Sequence, residues 1–453
     1  MANEETRFRV LMFPMLSYGH VSPFLELAKI LSQKNFFLYV CSTPINLNSI
    51  KKRLIPSIEL VELQLSSSPP ELPPHYHTSN GLGGHLLPAL LKSFEMSKPE
   101  FTIILEKLNP DLIIYDIFPP WIIDLAFSYH IPAVHFMCAG AASSSFFYSS
   151  VKNSSVPQFP SSGIFLKDSE VNKRKNALGE IKSAIFTSFE RSCDIVLIKS
   201  CRDMEGKYID HFHSILTNKK IISMGPLTEE LDNNNNKGGD LEEDADIILQ
   251  WLDKKDKAST IYLSLGSESF LSKKDMEELA HGIELSNVNF IWAIRFPKGE
   301  EIKAEVALPK GFLERVGGGR GLVVEGWAPQ TRILGHSSIG GFVSHCGWAS
   351  VIESLGFGVP IVGIPMNFDQ PINARLVVEL GAGLEVLKDE NLELERKEVA
   401  RVIREVVIEK SGEEIRKKAR EMSEKIRLKG DEEIDDGVEE LRKICHKKNK
   451  FWT

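Results

Sequence analysis

Short, largely apolar, strand-like runs recur along this 453-residue chain, and stretches with helical spacing separate them. The first series is RVLMFP, FFLYVCS, DLIIYD, PAVHFM and DIVLIKS; the second is TIYLSLGS, NFIWAIRF, GLVVEGW, GGFVSH and PIVGIP. Runs this brief without polar alternation are strands buried on both faces, as in a parallel sheet with helices on each side. The expected fold class is therefore α/β, built from two Rossmann-like halves. Between the two series lies LDNNNNKGGDLEEDAD, residues 231–246, whose Asn run, Gly pair and acidic charge read as a linker. The expected organisation is a first domain over 1–230, the linker, a second domain over 247–430, and a terminal helical segment over 431–453.

Composition narrows the partners. The net charge is −8 and there is no basic stripe, so a nucleic-acid partner is not expected. No apolar run approaches the ~18 residues of a membrane span, and the opening MANEETRF is too polar for a signal peptide. The six cysteines are scattered, with no CxxC pair, as expected for reduced thiols in a cytoplasmic protein. The region from Glu395 to about Lys447 reads as amphipathic surface helices, with DEEIDD (431–436) as a solvated helix start. The GGGRG stretch (317–321) reads as a turn, because a strand pattern follows it rather than a helix.

The richest segment runs from Trp327 to Gln370. GGFVSHCGW begins as a strand and turns into a helix whose start falls at about Trp348 to Ser350. Open N–H groups and the positive end of the helix dipole make that point an anion site. His345 lies one turn earlier and can donate to a phosphate, while Glu353 can accept from ribose hydroxyls. Asp369 and Gln370 follow the strand GVPIVGIP, at the end where open α/β sheets hold ligands. A flat indole face for a base, amides for a diphosphate and acceptors for sugar hydroxyls suit a nucleotide diphosphate sugar.

This 44-residue segment resembles the signature of plant family 1 UDP-dependent glycosyltransferases. The resemblance implies the GT-B fold, two Rossmann-like domains facing across a cleft. It implies that Trp327 stacks on uracil, that Ala328 contacts it through its backbone, that Glu353 holds the ribose, and that Gln330 belongs to the donor-binding set. It places Ser267, His345, Gly347 and Ser350 around the diphosphate, and Trp348, Asp369 and Gln370 around the sugar. One position departs: the family has Asn after HCGW, and this chain has Ala349, which removes one side-chain donor. Gln370 favours glucose as the donor sugar, so UDP-glucose is the expected co-substrate.

The first half supplies the expected chemistry. His20 follows the strand FRVLMFP, and Asp116 follows DLIIY. With Ser22 as N-cap and Pro23 at the first helical position, His20 is expected between a strand end and a helix. The nearby dipole is then expected to keep its imidazole neutral. A carboxylate on the far ring nitrogen would fix the tautomer, and the family resemblance assigns such a catalytic pair to His20 and Asp116. No cofactor is expected, and no metal, because the chain shows no suitable acidic cluster and the phosphate donors replace it. Tyr18, Gly19, Phe118, Pro119, Trp121 and Cys138 are the expected acceptor wall. Segments such as CSTPINLNSI, ELPPHYHTSNGL and PMNFDQPINARLVVELG resemble the subgroup that adds glucose to a sugar of a natural-product glycoside. The expected partners are thus a UDP-sugar and a small glycoside acceptor, bound by a monomer. Two rivals are glucosylation of a bare aglycone and nucleotide-sugar binding without turnover, the latter suggested only by Ala349. A dinucleotide oxidoreductase is disfavoured, because no strand leads into G-x-G-x-x-G.

Overall fold

The computed structural model describes residues 7–152, 157–178, 181–216, 218–229, 240–268, 270–299, 302–317 and 319–451. The chain divides into two compact units. The first contains residues up to 160, 178–228 and the segment from 429 onward; the second contains 161–177 and 229–428.

In the first unit a seven-stranded sheet runs in the order β3-β2-β1-β4-β5-β6-β7. The strands are β1 (Phe8–Phe13), β2 (Phe36–Ser42), β3 (Ile58–Glu62), β4 (Leu112–Tyr115), β5 (Ala133–Met137), β6 (Ile195–Ile198) and β7 (Lys220–Ser223). Every pairing is parallel. Alternate side chains feed opposite layers, as strand geometry requires. Val10, Met12, Leu38, Val40 and Ile114 join Phe24 and Leu27 in one buried cluster. Leu11, Phe13, Ile113 and Tyr115 join Phe94, Phe101 and Trp121 in the other. Both faces are therefore covered, which explains the near-continuous apolar runs in the sequence.

The second unit repeats the plan with six strands in the order β10-β9-β8-β11-β12-β13. These are β8 (Thr260–Ser264), β9 (Asn289–Ile294), β10 (Gly321–Glu325), β11 (Ile339–Ser344), β12 (Ile361–Gly363) and β13 (Gly383–Glu385), again all parallel. Phe290 and Trp292 face one layer, whereas Tyr262, Ile291 and Phe342 face the other.

Each sheet reverses its strand order once, between β1 and β4 in the first and between β8 and β11 in the second. Loops leaving two such neighbours diverge to opposite faces and open a crevice at the C-terminal edge. Every chemistry-bearing motif singled out above lies at one of these two edges.

Four helices matter for the sites: α1 (Tyr18–Ser32), α2 (Trp348–Gly356), α3 (Gln370–Glu379) and α4 (Glu413–Phe451). The last of these begins in the second unit and ends in the first. There Val438, Leu441, Ile444 and Cys445 form a helical stripe within the core of β1 and β2. DEEIDD therefore lies within a continuous helix instead of starting one. Of the expected linker, 231–239 falls outside the described residues, and Asp240–Leu252 is helical. Segment 161–177 clusters with the second unit although it precedes β6 in the chain. Its Glu170 and Phe165 engage Arg375 of α3, a tertiary ion pair that no local pattern announces. No helix among the described residues is long and apolar enough to cross a membrane.

Candidate active site

The first cluster sits at the β1/β4 reversal. His20 Nδ1 lies 2.8 Å from Asp116 Oδ2. Asp116 is 1% exposed, and its carboxylate is fixed from both ends. The Met15 amide donates to Oδ2 at 3.0 Å, and the Ile117 amide donates to Oδ1 at 2.7 Å. The His20 side chain remains 28% exposed, so its ring reaches solvent while its partner does not. Cys138, just past β5, completes the group: the ligating atoms of His20, Asp116 and Cys138 all lie within 4.8 Å of one another.

The helix carrying His20 starts earlier than its sequence suggests. It begins at Tyr18, with Ser17 at the N-cap and Pro23 inside. His20 thus occupies the first turn, where the Ser17 carbonyl accepts from the amides of His20 and Val21. Pro23 cannot return a hydrogen bond to the preceding turn, and the side chains of that turn are tied to Arg53. Its guanidinium donates to Tyr18 Oη and Ser22 Oγ, each at 3.0 Å, and also pairs with Glu26. Ser22 is therefore held by Arg53 and does not cap the helix.

The imidazole is also more basic than the dipole argument expected. Burial works against the charged ring, but the charge and hydrogen bond of Asp116 outweigh it and hold His20 well above its ordinary value. Burial alone would likewise raise the Asp116 carboxyl. His20 and the Met15 amide hold it below the usual carboxylate range. The dipole of one helix turn disfavours the charged ring only weakly. A carboxylate at 2.8 Å is the larger effect.

The expected acceptor wall is only partly a surface. Gly19 is exposed and Tyr18 half-buried beside His20. Phe118 and Pro119 are buried. Trp121 belongs to the core: it packs on Phe13 and Phe101, and its Nε1 donates to the Glu95 carbonyl at 2.7 Å. The indole N–H is thus bonded internally, and Trp121 is buried to the same degree as Phe118 and Cys138.

The second cluster sits at the β8/β11 reversal. The loop after β8 carries Ser267, and the turn after β11 carries His345 to Gly347. Gly266 has φ +83°, and a Cβ there would lie 2.7 Å from His345 Nε2; one on Gly347 would lie 2.5 Å away. Both positions must be glycine for the ring to fit between them. This enclosure pushes the His345 imidazole down to about 4, so it is neutral at physiological pH. Its Nδ1 is buried with no hydrogen-bond partner among the described residues. α2 starts immediately afterwards, with Gly347 at the N-cap and no side chain capping it. The first-turn amides around Ala349 and Ser350 are thus left to an external acceptor.

The remaining side chains surround that turn. Trp327 is 47% exposed, a large surface for an indole, while Ala328 is buried. Gln330 donates to Glu353 Oε2 at 2.7 Å, which orients that carboxylate, and lies 3.4 Å from Ser350 Oγ. Trp348 is buried. Gln370 Oε1 accepts from the amides of Met366 and Asn367, leaving its NH₂ as the donating end. Asp369 Oδ2 accepts from Asn373 Nδ2 at 2.8 Å. Asn373 escaped the sequence reading, although its spacing of four from Asp369 on one helix face was a usable signal. Arg53 carried no such local signal.

The comparisons agree with this geometry. Residues 247–420 match the family described as UDP-glucoronosyl and UDP-glucosyl transferase. UDP-glucosyltransferase 29 of Panax ginseng is 49% identical, over 99% of each chain. Beta-D-glucosyl crocetin beta-1,6-glucosyltransferase of Gardenia jasminoides is 45% identical, over 96% of this chain and 98% of that one. Among solved structures, Glycyrrhiza uralensis UGT73P12, complexed with glycyrrhetinic acid 3-O-monoglucuronide, superposes with a TM-score of 0.83 over 98% of both chains, at 24% identity. The fold class is therefore GT-B, and the chain belongs to the UDP-glucuronosyl and UDP-glucosyl transferase family as a UDP-glycosyltransferase.

Proposed function

We propose that this enzyme transfers glucose from UDP-glucose to a hydroxyl of a sugar already attached to a natural-product glycoside, forming a β-1,6 or β-1,2 branch. The observation that carries the chemistry is the 2.8 Å contact between His20 and Asp116 at a sheet-reversal edge. His20 takes the proton of the acceptor hydroxyl as general base. Asp116 fixes the tautomer and stabilises the imidazolium that forms. The oxygen attacks the anomeric carbon opposite the leaving UDP, so an α-linked donor gives a β-glycoside. Tyr18, Gly19, Phe118, Pro119 and Cys138 bound the acceptor.

Trp327 and Ala328 take the uracil, and Glu353, oriented by Gln330, takes the ribose. Ser267, His345, Gly347, Ala349 and Ser350 surround the diphosphate with neutral donors and the N-terminus of α2, a preorganised site for charge on the leaving group. Trp348, Asp369 and Gln370 line the glucose. These donors leave no step for a metal ion or cofactor, so activity is expected to survive EDTA. The enzyme acts as a cytoplasmic monomer. Support for a glycoside acceptor comes from the Gardenia jasminoides relative, whose name describes β-1,6-glucosyl transfer onto beta-D-glucosyl crocetin.

A paired panel tests this reading: UDP-glucose with aglycones and their monoglucosides, followed by mass spectrometry. Hexose gain confined to the glucosides is the expected result. Gain mainly on aglycones would overturn the acceptor assignment, and His20→Ala retaining more than about a hundredth of the rate would remove His20 as the base.

A further inference from the structure

His20, Asp116 and Cys138 form the one group among the described residues with the composition and spacing of a metal site. Cys138 borders the acceptor, but the transfer chemistry moves no proton to or from its thiol. We propose that these three side chains bind a thiophilic divalent cation of the Zn²⁺ type, and that its binding switches the enzyme off. The inference rests on the assignment of His20 as the base.

The geometry suits such an ion. Asp116 and Cys138 directly follow the adjacent strands β4 and β5, and His20 lies in the first turn of α1, the helix that follows β1. Their ligating atoms already lie within 4.8 Å of one another, so little rearrangement is needed. Asp116 and Cys138 are buried, and the exposed side of His20 provides the entry path. The amides of Met15 and Ile117 hold the carboxylate from behind, the outer-shell support that ligating carboxylates ordinarily have. One thiolate, one imidazole and one carboxylate match the preferences of Zn²⁺, whereas Mg²⁺ and Ca²⁺ favour all-oxygen sets. Three protein ligands leave one tetrahedral position open.

The proton balance explains the inhibition. The ion takes His20 Nδ1 in place of the proton shared with Asp116 and displaces the thiol proton of Cys138; starting from the imidazolium, both protons go to solvent, and no electron moves. Nε2 then keeps its own N–H and has no lone pair with which to accept the acceptor's proton. Inhibition should therefore strengthen with rising pH, since proton release favours binding.

The test uses the intact enzyme and two readouts. Co²⁺ titration should give one tetrahedral site per chain with a thiolate-to-cobalt charge-transfer band. Cys138→Ser should lose that band, while Cys193→Ser, altering the half-buried cysteine elsewhere in the unit, should keep it. Zn²⁺ should inhibit transfer reversibly with EDTA, and Cys138→Ala should require roughly tenfold more Zn²⁺ or beyond, each variant being scaled to its own metal-free rate. UDP binding by calorimetry verifies that the variants fold. Absence of the band, or equal Zn²⁺ sensitivity in Cys138→Ala, overturns the proposal while leaving the transferase reading intact. A cobalt site in a protein with no transferase activity in EDTA would do the opposite.

Discussion

Asn373 holds the carbonyl oxygen of Cys346 with one amide hydrogen, at 3.0 Å. The other hydrogen goes to Asp369 at 2.8 Å. Cys346 is in the left-handed region, φ +61°, a conformation that costs a non-glycine residue of order 1–3 kcal/mol. The side chain of α3 thus fixes the strained turn that aims His345 and the start of α2. Asn373→Ala should destabilise the second unit by about 1–3 kcal/mol and raise the donor KM, with little change in the acceptor KM. Asn373→Asp, with no amide to donate, should not rescue it. A normal donor KM in the alanine variant would dissociate Asn373 from the donor turn.

The two sheets were legible in the sequence because parallel strands buried on both faces leave unbroken apolar runs, as LIIY and GGFVS do. The donor motif was legible because one continuous segment carries most of it, from Trp327 to Gln370. What the sequence hid was long-range. Segment 161–177 joins the second unit through Arg375, more than 200 residues away. The start of α1 was misplaced because Pro23 is a strong local signal for a first turn, whereas the tie from Arg53 to Tyr18 and Ser22 is not local. The tie from Trp121 to the Glu95 carbonyl was hidden too, because an aromatic after a strand-end carboxylate has no periodicity to reveal its burial.

Ala349 is the second residue of α2, at the position where the family resemblance leads one to expect Asn. If the first turn of that helix holds the diphosphate, Ala349→Asn adds one donor to a charged acceptor, a gain of about 1–3 kcal/mol. The expected result is a several-fold lower donor KM at an unchanged acceptor KM, read from initial rates. An unchanged or higher donor KM would count against placing the diphosphate at this turn.

Arg375 is 6% exposed and bonds Glu170 through both terminal nitrogens, at 2.8 and 2.9 Å. Its Nε lies 3.5 Å from Glu385, and its guanidinium stacks 4.4 Å over Phe165. Burial already pushes the Glu385 carboxyl up against the pull of this cation. Arg375→Ala leaves two carboxylates without their partner, which should cost about 3–5 kcal/mol. The loss should appear as a lower Tm and as new proteolytic cuts within 161–177. An unchanged Tm with the segment still protected would show that packing, not the ion pair, holds it.

The pH dependence follows from the direction of the His20 shift. A general base works only when unprotonated. Asp116 raises the His20 pKa well above 6.5, so kcat/KM should climb as pH rises through that raised value, placing the acidic limb above that of an ordinary histidine. Asp116→Asn removes the charge that causes the shift. The limb should then move to lower pH, while the plateau rate falls by about 10²–10⁴ because the tautomer is no longer enforced. Stability runs in the opposite sense to activity. The pair's stabilisation is fully present below the unfolded histidine value and is lost as pH rises through the folded one. Wild type should therefore lose part of its Tm advantage over Asp116→Asn in the pH range where its activity climbs. Rate profiles and melting curves across that range check both signs, and a limb that stays in place in Asp116→Asn would mean that another group sets it.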